Sequence, residues 1–123
     1  MTDRIDLTYI YDIADGNHRF VLTLLDILEK NLLEYPVKMS RELSEGNMIA
    51  LRESAHKFKS CTAYTGVNEF NHTLEAIELG VDNQAELAEI RALVNKITTY
   101  ALVLNQQVTE ITAEIKQKAE QDI

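Results

Sequence analysis

The C-terminal part of the chain contains the pattern that most constrains the fold. Apolar residues recur there at alternating steps of three and four over four heptads: Leu87, Ile90, Val94, Ile97, Ala101, Leu104, Val108, Ile111 and Ile115. Such a seam predicts one long helix that buries a single stripe against other helices. At about 1.5 Å per residue, this helix would be roughly 45–50 Å long. Its end, near Val108–Ile115, could pack against the first helix or dimerise the protein.

The N-terminal part also shows helical rather than alternating apolar spacing. Residues 6–14 predict a short helix, and Asn17 can cap a second one. We expect Pro36 to kink or divide the second helix and Gly46 to end it. Its buried stripe would consist of Phe20, Leu24, Leu25, Leu28 and Leu32.

Two further helices are predicted in the middle of the chain, over about 47–65 and about 68–79. Their expected caps and stops are asparagines and glycines: Asn47, Gly66, Asn68 and Gly80. The second of the two should bury Phe70, Leu74 and Ile77. Joined by a tight turn, these helices would form a hairpin.

These elements predict an all-α fold. Asn83 and Glu86 have the spacing of a capping box before the long last helix. Four long helices with short connections indicate an antiparallel four-helix bundle, with a short N-terminal helix and a long C-terminal one. A chain of 123 residues fits one domain, so we expect residues 1–123 to form a single bundle.

The charge distribution excludes two classes of partner and singles out one segment. The formal net charge is −8, from 12 Lys and Arg against 20 Asp and Glu. This balance argues against binding to nucleic acid or to an anionic membrane, because both require a cationic surface. Residues 47–65 have the opposite sign, since three basic side chains and one acidic side chain give +2.

The single cysteine, Cys61, excludes an internal disulfide framework. We expect it to be a packed small side chain rather than a redox nucleophile. The sequence shows neither a signal peptide nor an apolar stretch of the roughly 18–20 residues that span a bilayer. These features predict a cytoplasmic protein.

The candidate functional residue is His56, in the basic segment. It lies off the stripe that we expect to be buried, which consists of Met48, Leu51, Ala55, Phe58 and Thr62. Arg52, Lys59 and Ser60 share its helix face at positions −4, +3 and +4. Lys59 could compensate the charge of a phosphoryl group on the imidazole, and the small Ser60 leaves room for a second protein.

The hairpin supplies a carboxylate for this histidine. A turn about residues 66–67 brings His56 opposite Glu78 on the next helix. A hydrogen bond from one ring nitrogen to Glu78 would fix the tautomer and leave the other nitrogen free as a nucleophile.

This pattern resembles the histidine phosphotransfer (HPt) family. The family signature is a histidine with an apolar residue at +2, lysine at +3, a small residue at +4 and glycine at +10, matched here by His56, Phe58, Lys59, Ser60 and Gly66. The family's apolar–acidic pair at +21 and +22 is matched by Ile77 and Glu78. Ile5–Leu7 and Phe20–Leu28 are also similar to family members, so the resemblance covers essentially the whole chain. Ser60 replaces the commoner glycine, and Tyr64-Thr65 replaces the more usual Asn-Leu.

The resemblance implies a carrier in a two-component phosphorelay. His56 would exchange a phosphoryl group with the aspartate of a receiver domain or accept it from a hybrid histidine kinase. Such a carrier has no autonomous kinase activity and no cofactor of its own, because the receiver supplies Mg²⁺. The receiver-docking face, or the turn beside it, would include Arg52, Lys57, Ser60, Ala63, Tyr64 and Gly66.

The same residues allow other interpretations. A non-catalytic helical adaptor could bind a receiver or kinase without phosphorylation. Arg52 and Lys57 could be solvated charges rather than docking residues, and Glu78 a plain surface carboxylate. We expect His18 and His72 to be surface residues and no metal site to form, because the histidines lack ligand spacing. A monomer is expected, with a dimer through the C-terminal helix as the alternative.

Overall fold

The computed structural model describes residues 3–121, which form five α-helices and a short 3-10 turn with no β-strand. The helices are α1 (Thr8–Ile13), α2 (His18–Ser44), α3 (Met48–Thr62), α4 (Asn68–Asp82) and α5 (Leu87–Gln121), and the 3-10 turn is Ala63–Thr65. The predicted all-α class and the long C-terminal helix are confirmed. None of the helices in this range has the length and apolar character needed to cross a membrane.

Helix α2 is a single uninterrupted helix. Asn17 caps it as expected, because its side chain accepts a hydrogen bond from the backbone N–H of Phe20. Of the two effects predicted for Pro36, division of the helix is wrong, since α2 runs without interruption to Ser44, and a kink stays a prediction. Pro36 is itself buried, and buried residues in the turns on both sides hold the helix against the core despite the lost backbone donor.

The buried stripe of α2 is shifted by one position at its start. Phe20 is exposed, Leu24 is half-buried, and Val21 is fully buried in their place. The stripe then continues through Leu25, Leu28 and Leu32 as predicted. Gly46 follows α2 with φ +71°, the left-handed conformation that suits a glycine after a helix end.

The start of α4 is capped from a distant part of the chain. The prediction that Asn68 caps this helix is wrong, because Asn68 is its first residue and no local side chain provides a cap. The carboxylate of Asp3 instead accepts the backbone N–H groups of Phe70 at 2.8 Å and Glu69 at 3.3 Å. A carboxylate at this position satisfies two free donors and complements the helix dipole.

The connection between α4 and α5 also differs from the prediction. Gly80 lies inside α4, which continues to Asp82, so Gly80 does not end the helix. Asn83 is the C-terminal cap of α4 rather than the N-terminal cap of α5, and Gln84 takes a positive φ of 54° in the turn. The predicted capping box is therefore wrong, because Asn83 and Gln84 form the turn that ends α4 and precedes α5.

The core is a single cluster in which α2 packs against α3 and α5, and α4 packs against α3 and α5. The predicted seam of α5 is buried from Ile90 to Ile115, except for the half-buried Ile111. Leu87, which was predicted to begin this seam, is half exposed at the first position of the helix. The apolar end of the seam is thus covered within one chain.

Candidate functional site

The backbone of α3 places His56 on the outer face of the molecule. Its side chain is 61% exposed. The opposite face of α3 is anchored in the core by Leu51, Ala55, Phe58 and Thr62, as predicted, although Met48 is only half-buried. Asn47 caps the helix as expected by accepting the backbone N–H of Ala50. The imidazole is therefore accessible on a helix that is itself firmly packed.

Glu78 of α4 holds one nitrogen of this imidazole. Nδ1 of His56 lies 2.6 Å from Oε1 of Glu78, so the predicted juxtaposition is confirmed. The Glu78 side chain is only 8% exposed, which rules out a plain surface carboxylate. A carboxylate can only accept, so Nδ1 carries the hydrogen, and in the neutral ring Nε2 keeps its lone pair. No other side chain in residues 3–121 forms a hydrogen bond with the ring.

Lys59 contacts the same carboxylate from the other side. Its Nζ lies 2.7 Å from Oε2 of Glu78. Burial raises the pKa of Glu78, but hydrogen bonds and charges from Lys59 and His56 outweigh it and hold the pKa below its ordinary value of 4.5. Glu78 is therefore ionised at neutral pH. The sequence placed Lys59 near His56 but did not show that Glu78 joins the two.

A second contact joins the two helices one turn away. The guanidinium of Arg52 donates Nε to Oδ1 of Asp82 at 2.6 Å and one terminal nitrogen to Oδ2 at 3.1 Å. Asp82 was not singled out in the sequence, although the hairpin register that pairs His56 with Glu78 also brings Arg52 opposite Asp82. Arg52 is thus held by a two-pronged ion pair rather than freely solvated, and its place in a docking face stays a prediction.

The remaining predicted docking residues lie on the surface around α3 and the turn. Lys57, Ser60 and Ala63 are exposed, and Ser60 donates its hydroxyl to the backbone oxygen of His56 at 3.2 Å. Tyr64 is half-buried. Burial raises the pKa of its phenol. These residues extend from the imidazole toward α1.

Gly66 is needed by the turn for two reasons. Its φ is +75°, which L side chains rarely adopt, and a Cβ atom there would meet the Cβ of Asp6 at 3.0 Å. The backbone N–H of Asp6 donates to the oxygen of Thr65 at 2.8 Å, so the N-terminal segment lies directly on the turn. The predicted helix stop at Gly66 is confirmed, and the backbone geometry of the turn requires a glycine there.

The two other histidines, His18 and His72, are both predicted to lie on the surface, but they differ in burial. His72 is exposed on α4, as expected. His18 is half-buried, and its Nδ1 lies 3.4 Å from the Tyr11 hydroxyl with the two rings edge to face. The prediction of a simple surface histidine is therefore wrong for His18. Its position in the first turn of α2 brings it against α1, a contact that depends on how the α1–α2 connection folds.

Cys61 is half-buried, and burial raises the pKa of its thiol. Because the thiolate is the reactive form, this environment agrees with a packed side chain rather than a redox nucleophile. Across residues 3–121, no group of three or more His, Cys, Asp or Glu side chains has an arrangement suited to a metal ion.

The site as a whole is an exposed imidazole backed by a buried, ionised carboxylate. As Nε2 forms a bond to an electrophile, the ring gains positive charge, which the Glu78 carboxylate stabilises through Nδ1–H. The ammonium of Lys59 partly neutralises the Glu78 carboxylate, and this contact also holds the ammonium near the ring.

Comparisons with protein-family models, with curated proteins and with solved structures found no match.

Proposed function

We propose that this protein is a histidine phosphotransfer protein of a two-component phosphorelay, with His56 as the phosphoacceptor. The observation that carries the proposal is the contact between exposed His56 and buried Glu78, at 2.6 Å.

We also propose that α2, α3, α4 and α5 form an antiparallel four-helix bundle. The supporting observations are the packing of α2 on α3 and α5, the packing of α4 on α3 and α5, and the short connections.

The transfer step uses Nε2 as the nucleophile. Its lone pair attacks the phosphorus of a receiver's aspartyl phosphate, the N–P bond forms, and the acyl P–O bond breaks with the aspartate carboxylate as leaving group. The ring nitrogen Nδ1 keeps its hydrogen and donates it to Glu78 while the ring carries positive charge. The reverse reaction returns the phosphoryl group to an aspartate, so one site can serve both directions.

Lys59 compensates the negative charge of the phosphoryl group in this proposal. Its ammonium has three N–H donors, and Glu78 takes one of them at 2.7 Å. Two donors are left for phosphoryl oxygens. The contact with Glu78 also holds the ammonium close to the imidazole, so the lysine need not be ordered anew when the phosphoryl group arrives.

The other components of the reaction belong to the partner. A receiver domain supplies the aspartate and the Mg²⁺ that neutralises phosphoryl charge, and a hybrid histidine kinase is the other possible donor. This chain contributes a positioned nucleophile and a docking face in the cytoplasm, and it has no kinase activity of its own.

Phosphate transfer from a labelled receiver tests the proposal. The wild-type protein should acquire acid-labile, alkali-stable phosphate, and the His56→Ala variant should acquire none. His72→Ala is the matched control, because His72 is also exposed and lies on the adjacent helix. A wild-type protein that binds receivers without being labelled, or a His56→Ala variant labelled equally well, would refute the proposal. Binding without labelling is the behaviour expected of an adaptor.

A further inference from the structure

A hollow lies beside the end of the His56-bearing helix, between α1 and the 3-10 turn. Its volume is about 690 Å³. Asp6, Tyr9 and Asp12 line it from the N-terminal side, and Ala63 and Tyr64 line it from the turn. The phosphotransfer chemistry described above makes no use of this hollow.

The hollow is negatively charged. Asp12 is exposed and has no ion-pair partner within residues 3–121. The carboxylate of Asp6 accepts the backbone N–H of Thr8 at 2.9 Å, and this hydrogen bond holds the pKa of Asp6 below its ordinary value. No lysine or arginine from the described part of the chain lines the hollow. Two aspartates therefore line the hollow, with no lysine or arginine beside them among the described lining residues.

Two aromatic rings accompany these carboxylates. Tyr9 is 58% exposed, and Tyr64 is half-buried in the opposite wall. Carboxylates bind guanidinium and ammonium groups through charge-assisted hydrogen bonds, and tyrosine rings attract the same cations over their faces. The combination fits the side chain of an arginine or a lysine.

The position of the hollow relates it to the phosphoacceptor. Ala63 follows His56 by seven residues, about two helical turns, so the two are on the same side of the molecule and roughly 10 Å apart. The surface nearer His56 carries Lys57 and Lys59. The negatively charged hollow thus lies beside a surface that carries two lysines.

We propose that this hollow binds an arginine or lysine side chain of the domain that exchanges phosphoryl groups with His56. The inference rests on the proposed function and adds a requirement for the partner, namely a basic side chain on the same face as its phosphorylated aspartate. A partner docked in the reverse orientation would bring its basic side chain against Lys57 and Lys59. Like-charge contact would disfavour that orientation.

Two phosphodonors separate docking from chemistry. Phosphorylated receiver domains of the source organism are screened, and the one that labels the wild-type protein fastest is the macromolecular donor. Phosphoramidate is the small donor, which reaches His56 without docking. The readout is the labelling rate with the receiver divided by the labelling rate with phosphoramidate. A variant that alters only the reactivity of His56 changes both rates and leaves this ratio unchanged.

Asp12→Lys is the test variant, because Asp12 is exposed near the end of α1 and its side chain forms no ion pair within residues 3–121. Asp26→Lys, with the same charge change at an exposed position outside the hollow, is the control. We expect Asp12→Lys to lower the ratio about five- to tenfold, more at low salt than at high salt, and Asp26→Lys to leave it at the wild-type value. Equal ratios for the two variants would overturn the proposal.

A titration with N-acetylarginine amide examines the hollow independently of phosphotransfer. In NMR spectra of the ¹⁵N-labelled protein, the amide signals of the hollow should shift in the wild type and in Asp26→Lys, and stay in place in Asp12→Lys. If neither donor labels His56 but these shifts occur, the proposed function fails while the cation site stands. If the wild-type signals do not shift, the cation site is overturned.

Discussion

His56 Nδ1 lies 2.6 Å from Glu78 Oε1, although the two residues are 22 positions apart in the chain. The contact joins an exposed ring to a buried carboxylate, and its two ends therefore differ in what they contribute. The exposed end can meet a second protein, whereas the buried end is fixed by the packing of α4. The reactivity that we propose for the site depends on this asymmetry, because a rigid acceptor holds Nδ1–H and leaves the lone pair of Nε2 available.

Replacing Glu78 by glutamine should slow phosphorylation of His56. Glu78→Gln keeps the shape of the side chain but removes the charge that stabilises the positive ring in the transfer step. We expect labelling by phosphoramidate to fall roughly tenfold or more, as is typical for loss of an electrostatic contact in a reaction. Glu75→Gln, on the exposed side of the same helix, is the control. Equal rates for the two variants would show that Glu78 has no part in the reaction.

Replacing Lys59 by alanine should slow transfer and leave the fold intact. The variant removes an ammonium that contacts Glu78 at 2.7 Å and lies beside the imidazole. We expect a transfer rate roughly tenfold lower, with unchanged helical circular dichroism, since the side chain is not part of the apolar core. With phosphoramidate as the donor, which needs no docking, Lys57→Ala should react at close to the wild-type rate, because Lys57 is exposed on the same helix and forms no ion pair within residues 3–121. If Lys59→Ala transferred as fast as Lys57→Ala, charge compensation by Lys59 would be excluded.

The stability of the protein should decrease in acid partly through Glu78. Because the pKa of Glu78 is lower in the folded state than its ordinary value of 4.5, its contribution is complete above that value and is lost as the pH falls through the folded pKa. Urea unfolding at about pH 7 and about pH 3 should therefore show a larger loss of unfolding free energy for the wild type than for Glu78→Gln. The comparison with Glu78→Gln is required because Asp6 and Asp82 also have lowered pKa values. Parallel losses in both proteins would contradict the prediction.

Asp3, rather than Asn68, should stabilise the start of α4. Asp3→Ala removes the acceptor of two backbone N–H groups and should lower the free energy of unfolding by about 1 kcal/mol, the usual effect of losing a helix cap. Asn68→Ala should change it by a few tenths of a kcal/mol at most, because Asn68 is exposed and its side chain does not cap the helix. Chemical denaturation measures both values. A larger effect at Asn68 than at Asp3 would mean that the sequence-based cap was correct.

The sequence by itself determined the helices and the candidate site. Periodic burial is a local property, so the α5 seam, the stripe of α4 and the caps at Asn17 and Asn47 could be predicted from spacing alone. The juxtaposition of His56 and Glu78 was also predictable, because a tight turn fixes the register of the two helices that follow and precede it. These features depend on residues that are close in the chain or joined by one turn.

The tertiary structure decided the features that depend on distant partners. Asp3 caps α4 across 67 positions, and the continuity of α2 through Pro36 depends on buried neighbours rather than on the preference of proline. Neither can be inferred from local spacing, since each requires knowing which segments pack together. The same holds for the burial of Glu78 and for its second contact, with Lys59. Local periodicity fixes which residues face inward, but the packing of the helices fixes which charges meet, because ion pairs depend on the distance between elements.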